Sequence, residues 1–101
     1  MSSRFKPLTK SSAVDLLRHE NPTGSEQALG IYVDLFFEYH QAQALIDRIG
    51  PITADPVSKR PIENPYVRIR DAAARKMDSY RTLRVDALWQ AAWKIEHGKK
   101  G

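Results

Sequence analysis

The stretch Gly50–Pro65, GPITADPVSKRPIENP, decides how this chain folds. It holds four of the six prolines in a protein of 101 residues, and it separates two segments that otherwise read as helix. Gly50 suits the left-handed position that closes a helix, and Pro51 forbids continuation. At the other end Asn64 is a ready N-cap, with Pro65 at the first helical position, where a missing N–H costs nothing. Ile52-Thr53-Ala54 and Arg60-Pro61-Ile62 are placed to run side by side around an Asp55–Lys59 turn, although proline weakens a regular ladder. The insert is a stiff connector that reverses the chain; a second use, as a tip that touches a neighbour or partner, stays open.

Upstream, Thr23 and Glu26 have the spacing of a capping box. From there Ala28, Ile31, Tyr32, Leu35, Tyr39, Ala42, Leu45, Ile46 and Ile49 recur at intervals of three and four, which predicts a helix over about 24–49. Phe36 and Phe37 widen this stripe. Residues 1–22 read as a flexible basic arm with a short helix, roughly Ser12 to Arg18, capped by Ser12 with Asp15 at N3 and ended near Asn21-Pro22. Downstream, Tyr66, Ile69, Ala73, Met77, Tyr80, Ala87, Ala91 and Ile95 share one side. No glycine or proline intervenes before Gly98, so the pattern predicts one helix over about 65–97, some 45 Å long at 1.5 Å per residue. The fold class is all-α: residues 23–101 form a long antiparallel helical hairpin with a short extended or β-hairpin-like connector over 50–63.

Two such helices cannot bury all their apolar surface against each other. Trp89 and Trp93 fall well away from the main stripe, and exposed tryptophans form an apolar patch that self-association would cover. Phe36, Phe37, Leu88, Trp89 and Trp93 are therefore candidates for oligomer or partner contacts, with packing inside the chain as the plainer use of the tryptophans.

The chemistry-bearing residues are sparse. There is no cysteine, and His19, His40 and His97 lack metal-ligand spacing. Asp34 and Glu38 lie four apart, but a two-helix chain offers little cleft to separate their acidities. No phosphate-binding glycine loop is present. The sequence predicts no catalytic, cofactor or metal site, and no enzyme. It also lacks a run of signal-peptide or membrane-span character, which predicts a soluble protein away from the membrane.

The formal net charge is +4, from 16 basic and 12 acidic residues. Residues 23–50 are net acidic and residues 64–101 net basic, an asymmetry that suits pairing of the two segments with each other or with copies. Arg68 and Arg75, seven apart, project opposite the apolar stripe. They are either solubilising ion-pair partners or phosphate contacts, and the same choice applies to Arg4, Lys6, Lys10 and Arg18 on the arm.

The run Tyr32–Ile46 (YVDLFFEYHQAQALI), then Ile49-Gly50-Pro51-Ile52, then Pro61-Ile62-Glu63-Asn64-Pro65-Tyr66, resembles the P27-like family of phage terminase small subunits, including similar proteins of gene transfer agents. The resemblance covers about residues 28–80. It implies a non-enzymatic DNA-packaging factor in the cytoplasm of a bacterial host. Such a factor forms a homo-oligomeric ring of about seven to twelve subunits, binds double-stranded DNA and regulates the large terminase subunit, which carries the ATPase and nuclease. Two departures bear on this. Only 22 residues precede the first long helix, too few for the helix-turn-helix domain typical of such proteins, so binding with little sequence preference is expected. After Tyr80 the chain continues as RTLRVDALWQAAWKIEHGKKG rather than a Leu-Gly-Leu-Thr-Pro-like segment. A protein–protein adaptor of the packaging motor, with no DNA role, is the alternative.

Overall fold

The computed structural model describes residues 8–97. Among them are four helices, α1 (Lys10–Glu20), α2 (Glu26–Ile49), α3 (Pro65–Asp78) and α4 (Asp86–His97), with one two-stranded antiparallel sheet of β1 (Ile52–Ala54) and β2 (Pro61–Glu63) between α2 and α3. The chain divides into two compact units. Among the described residues, one joins residues 8–33 to residues 81–97, and the other is Asp34–Tyr80.

In the Asp34–Tyr80 unit the connector is a true hairpin. Ile52 pairs with Glu63, Thr53 with Ile62 and Ala54 with Pro61, one residue later on the second strand than the sequence predicts. The turn closes through Asp55 N–H to Arg60 C=O at 2.8 Å and Lys59 N–H to Asp55 C=O at 2.8 Å. Lys59 sits at φ 64°, in the left-handed region that glycine or asparagine ordinarily fills. Gly50 has φ 103° as the helix-ending residue, a conformation strained for any side chain.

Asn64 holds the base of this hairpin. It is 1% exposed. Its Oδ1 accepts the Tyr66 N–H at 3.0 Å and caps α3, while its Nδ2 donates to the Gly50 carbonyl at 2.8 Å. Its own N–H donates to the Pro51 carbonyl at 2.7 Å. One residue thus fixes the end of α2, the mouth of the hairpin and the start of α3. Arg70, near the start of α3, donates through Nη1 to Oε1 of Gln43, near the end of α2, at 3.1 Å, so α3 runs back along α2. Ala42 and Ile46 on α2 and Ala73 and Met77 on α3 are buried. Phe36 is also buried, edge-on to Phe37 at 5.6 Å between centroids and to His40 at 4.5 Å.

The other unit corrects the predicted second helix. Residues 65–97 are not one helix: α3 ends at Asp78 and α4 begins at Asp86. Ser79 closes α3 by donating its hydroxyl to the Lys76 carbonyl at 2.6 Å. The decisive agent is Asn21. Its Oδ1 accepts the Arg84 N–H at 2.8 Å and its Nδ2 donates to the Arg84 carbonyl at 2.9 Å. Those are the two backbone groups that a continuous helix would have used for its own ladder. Glu20 Oε1 then accepts the Ala87 N–H at 3.0 Å, satisfying a first-turn donor of α4 with a negative charge.

The break resets the phase of α4. Its fully buried residue is Leu88, not Ala87 or Ala91. Ala13 and Leu17 of α1 and Leu29 and Val33 of α2 are equally buried. Trp89 Nε1 donates to the Tyr32 hydroxyl at 2.8 Å. Burial raises the Tyr32 pKa, with the Trp89 N–H working the other way.

Residues 10–20 are therefore a helix packed against α4 rather than part of a free arm. It is capped by Thr9, whose hydroxyl accepts the Ser12 N–H at 3.1 Å, so Ser12 is the N3 member of the box and not the cap. At the start of α2 the Ser25 hydroxyl accepts the Ala28 N–H at 3.3 Å, in place of the predicted Thr23–Glu26 box.

Replacing either asparagine leaves buried or structured backbone groups without partners, which costs about 1–3 kcal/mol. Asn64→Ala and Asn21→Ala are each expected to lower the unfolding free energy by about 2 kcal/mol in urea titrations. Asn64→Asp, which keeps the cap but loses the donor to Gly50, is expected to fall between Asn64→Ala and the wild type.

Candidate functional surface

The predicted site residues separate into three groups. Arg68 and Arg75 stand on α3 away from its buried residues Ala73 and Met77, as the helical phase predicts. The Arg68 side chain is 86% exposed and its Nε contacts Glu63 Oε1 at 3.1 Å. An exposed pair of this kind contributes little and exchanges readily for another anion. Arg75 is exposed and makes no ion pair among the described residues. Asp71 and Asp78 share the outward side of α3, and Asp71 lies 3.0 Å from Arg70 Nη2.

Arg18 has a different task. Its guanidinium contacts Asp15 Oδ1 at 2.6 Å and both Glu26 oxygens, through Nε at 2.9 Å and Nη2 at 2.8 Å. The fork ties α1 to the start of α2, and it raises the Arg18 pKa while lowering that of Glu26. A guanidinium held by two carboxylates is a poor phosphate ligand. Lys10 is exposed on the first turn of α1, and Arg4 and Lys6 lie outside the described residues.

The predicted contact residues also divide. Leu88 and Phe36 are fully enclosed within the chain and present nothing to a partner. Phe37 is half-buried, as is Trp89 with its bond to Tyr32. Trp93 is 60% exposed. A second exposed apolar group was not predicted: Ile49, Ile52, Val57, Ile62 and Ile69 all come from the hairpin and the helix turns that flank it, Val57 being 89% exposed. In the sequence Ile49 and Ile69 fall on the helical stripes, whereas Ile52, Val57 and Ile62 belong to the connector. Among the described residues the one sheet is this pair of three-residue strands, and these side chains stay exposed on and beside it.

Among the described residues, no three His, Cys, Asp or Glu side chains gather closely enough to hold a metal ion. No helix of the described residues is long and apolar enough to cross a membrane. No family model, curated protein or solved structure matches the chain.

The hairpin turn carries a pH signature. Asp55 Oδ2 accepts the Ser58 N–H at 2.7 Å, and this backbone bond, aided by the Ser58 hydroxyl, lowers the Asp55 pKa below its ordinary 3.8. A depressed carboxylate stabilises the fold above its unfolded pKa, and that contribution is lost as pH falls through the folded value. The Ser58 amide resonance is expected to titrate with a midpoint below pH 3.8, and the turn to loosen only beneath it. A midpoint at or above that value would show that the carboxylate does not hold the turn.

Proposed function

We propose that this chain is a non-catalytic helical adaptor of a DNA-packaging machine. It self-associates, holds duplex DNA weakly with little sequence preference, and engages the large terminase subunit. The observation that carries the reading is the outward pair Arg68 and Arg75, two helical turns apart on α3 and clear of the side that α3 buries. Cations in such a row meet phosphates and position a duplex without reading its bases. Repetition in an oligomer multiplies weak contacts into useful affinity. The exposed isoleucines and Val57 around the hairpin supply apolar surface for contacts between copies or with the large subunit. The resemblance of residues 28–80 to small terminase subunits agrees with both uses, and a ring of copies is the assembly it implies.

A second reading, a protein–protein adaptor with no DNA role, is favoured by the acidic neighbours of the arginines. Asp71 and Asp78 dilute the positive face of α3.

Gel retardation across a salt series separates the two. The wild-type protein is expected to retard a mixed-sequence duplex at about 50 mM salt and to lose most binding by about 200 mM. Arg68→Gln/Arg75→Gln is expected to reduce the salt slope by up to about 2. Retardation that ignores salt, or none at all, selects the adaptor reading. Light scattering tests the assembly independently: a mass of about seven to twelve subunits fits a closed ring, and a monomer contradicts it.

A further inference from the structure

The hairpin between α2 and α3 blunts one of its edges and leaves the other open. Asn64 N–H donates to the Pro51 carbonyl and Asp55 N–H to the Arg60 carbonyl, so Pro51/Asn64 and Asp55/Arg60 are hydrogen-bonded pairs. Along an antiparallel ladder such pairs alternate with pairs whose N–H and C=O point away from the other strand. In the observed register the outward pairs are Ile52/Glu63 and Ala54/Pro61. Pro61 therefore costs the hairpin no bond. Its nitrogen lies on the outer side of β2, where it removes a donor from that edge. The outer edge of β1 has the full set, the N–H and C=O of both Ile52 and Ala54. These two residues are exposed, and residues 52–54 contain no charge and no proline, the usual devices that keep sheet edges apart.

The same strand of a second copy complements that edge. With two β1 strands antiparallel about a twofold axis at Thr53, Ile52 of each copy faces Ala54 of the other. Each facing pair exchanges two bonds, so all the outward groups of β1 are used. A shift of two residues either way puts Gly50 or Pro56 opposite a strand residue and loses bonds, because Gly50 ends α2 at φ 103° and Pro56 has no N–H. Thr53 then faces Thr53, a favourable cross-strand pair. Beyond the strands, this register sets the turn of one copy, with its exposed Val57, beside the exposed Ile49 that ends α2 in the other. Charge agrees with the fit. The turn carries Lys59 and Arg60, both exposed, while the Asp55 carboxylate is turned back onto the Ser58 N–H. In the last turn of α2 the side-chain charges of Asp47 and Arg48 cancel, which leaves the negative end of the helix dipole facing those cations.

We propose that the outer edge of β1 is a self-association site, at which a second copy of this chain adds its own β1 to make a four-stranded antiparallel sheet in the order β2-β1-β1-β2. The proposal rests on the reading that the chain self-associates, and it names the surface that does so. A twofold contact closes at two copies, so a larger assembly is built from such pairs through a further surface. Pro61 blunts both outer edges of the new sheet, which separates this contact from open-ended strand aggregation. Strands of three residues bury far less than the roughly 1,200–2,000 Å² of a stable dimer, so the strand contact by itself forms only at high protein concentration.

The test uses the full chain, which has no native cysteine. Sedimentation equilibrium from about 10 μM to about 1 mM is expected to show the wild type in assemblies of an even number of copies. Thr53→Lys and Thr53→Glu each set like charges directly across the twofold axis, about 5 Å apart at Cβ. Each variant alone is expected to associate at least about tenfold more weakly, and an equal mixture of the two to return to within about threefold of the wild type. Thr53 is half-buried, so circular dichroism and melting temperature check the fold of both, and Thr53→Cys supplies a second measurement. In a glutathione redox buffer Thr53→Cys is expected to form a disulfide-linked dimer. Val57→Cys, at a far more exposed position, is expected to stay unlinked, because the two turns lie at opposite ends of the sheet. Val57→Cys linking as fast as Thr53→Cys indicates random encounter and overturns the proposal. Association unchanged by both charged variants also overturns it, while leaving self-association through another surface intact. A wild type that stays a single copy throughout overturns the self-association reading itself, and the strand contact with it.

Discussion

The Asn21 side chain grips both backbone groups of Arg84, and the organisation of the chain follows from that clasp. An amide offers one acceptor and two donors in a plane, much as a neighbouring strand would. Asn21 uses all three, the second donor reaching the Leu17 carbonyl at 2.8 Å and closing α1. By removing Arg84 from any helical ladder it separates α3 from α4. It also brings α4 back to α1, so that Glu20 caps α4 and Leu88 enters a core with Ala13, Leu17 and Leu29. Asn64 performs a related task at the hairpin, where it links Gly50, Pro51 and Tyr66. Both asparagines precede proline, at Asn21-Pro22 and Asn64-Pro65. Proline fixes the backbone that follows and steers its predecessor out of the helical region, which frees the asparagine side chain to face the corner.

What could be read in the sequence follows from the range of each interaction. The end of α2 at Gly50, the hairpin and the start of α3 at Asn64-Pro65 were legible because glycine and proline act on their own backbone. The break between α3 and α4 was not. Residues 79–85 contain no glycine or proline, and the apolar spacing from Tyr66 to Ile95 continues across them. The group that holds Arg84 outside a helix lies 63 positions away in the chain. Periodicity reports what a segment prefers by itself, and a distant side chain overrode it.

The candidate surface shows the same division. The outward position of Arg68 and Arg75 follows from helical phase, which is local. The engagement of Arg18 by Asp15 and Glu26 depends on the turn between α1 and α2, and the enclosure of Leu88 on the reset phase of α4. The exposed isoleucines around the hairpin are the converse case. Ile49 and Ile69 carry the helical spacing of a core, yet both are exposed beside the two short strands.

The most direct test of this account is the distance between the start of α1 and the end of α4. The chain has no native cysteine, so Ser11→Cys and Lys94→Cys, both at exposed positions, can carry a pair of spin labels without competing sites. Helices packed side by side at 8–10 Å between axes predict a narrow distribution at about 15–25 Å, once the label linkers are included. A distribution centred beyond about 35 Å would mean that α4 leads away from α1, as it would if α3 and α4 formed the single helix of about 45 Å that periodicity predicts. The clasp at Asn21 would then be wrong, and with it the packing of α1 on α4.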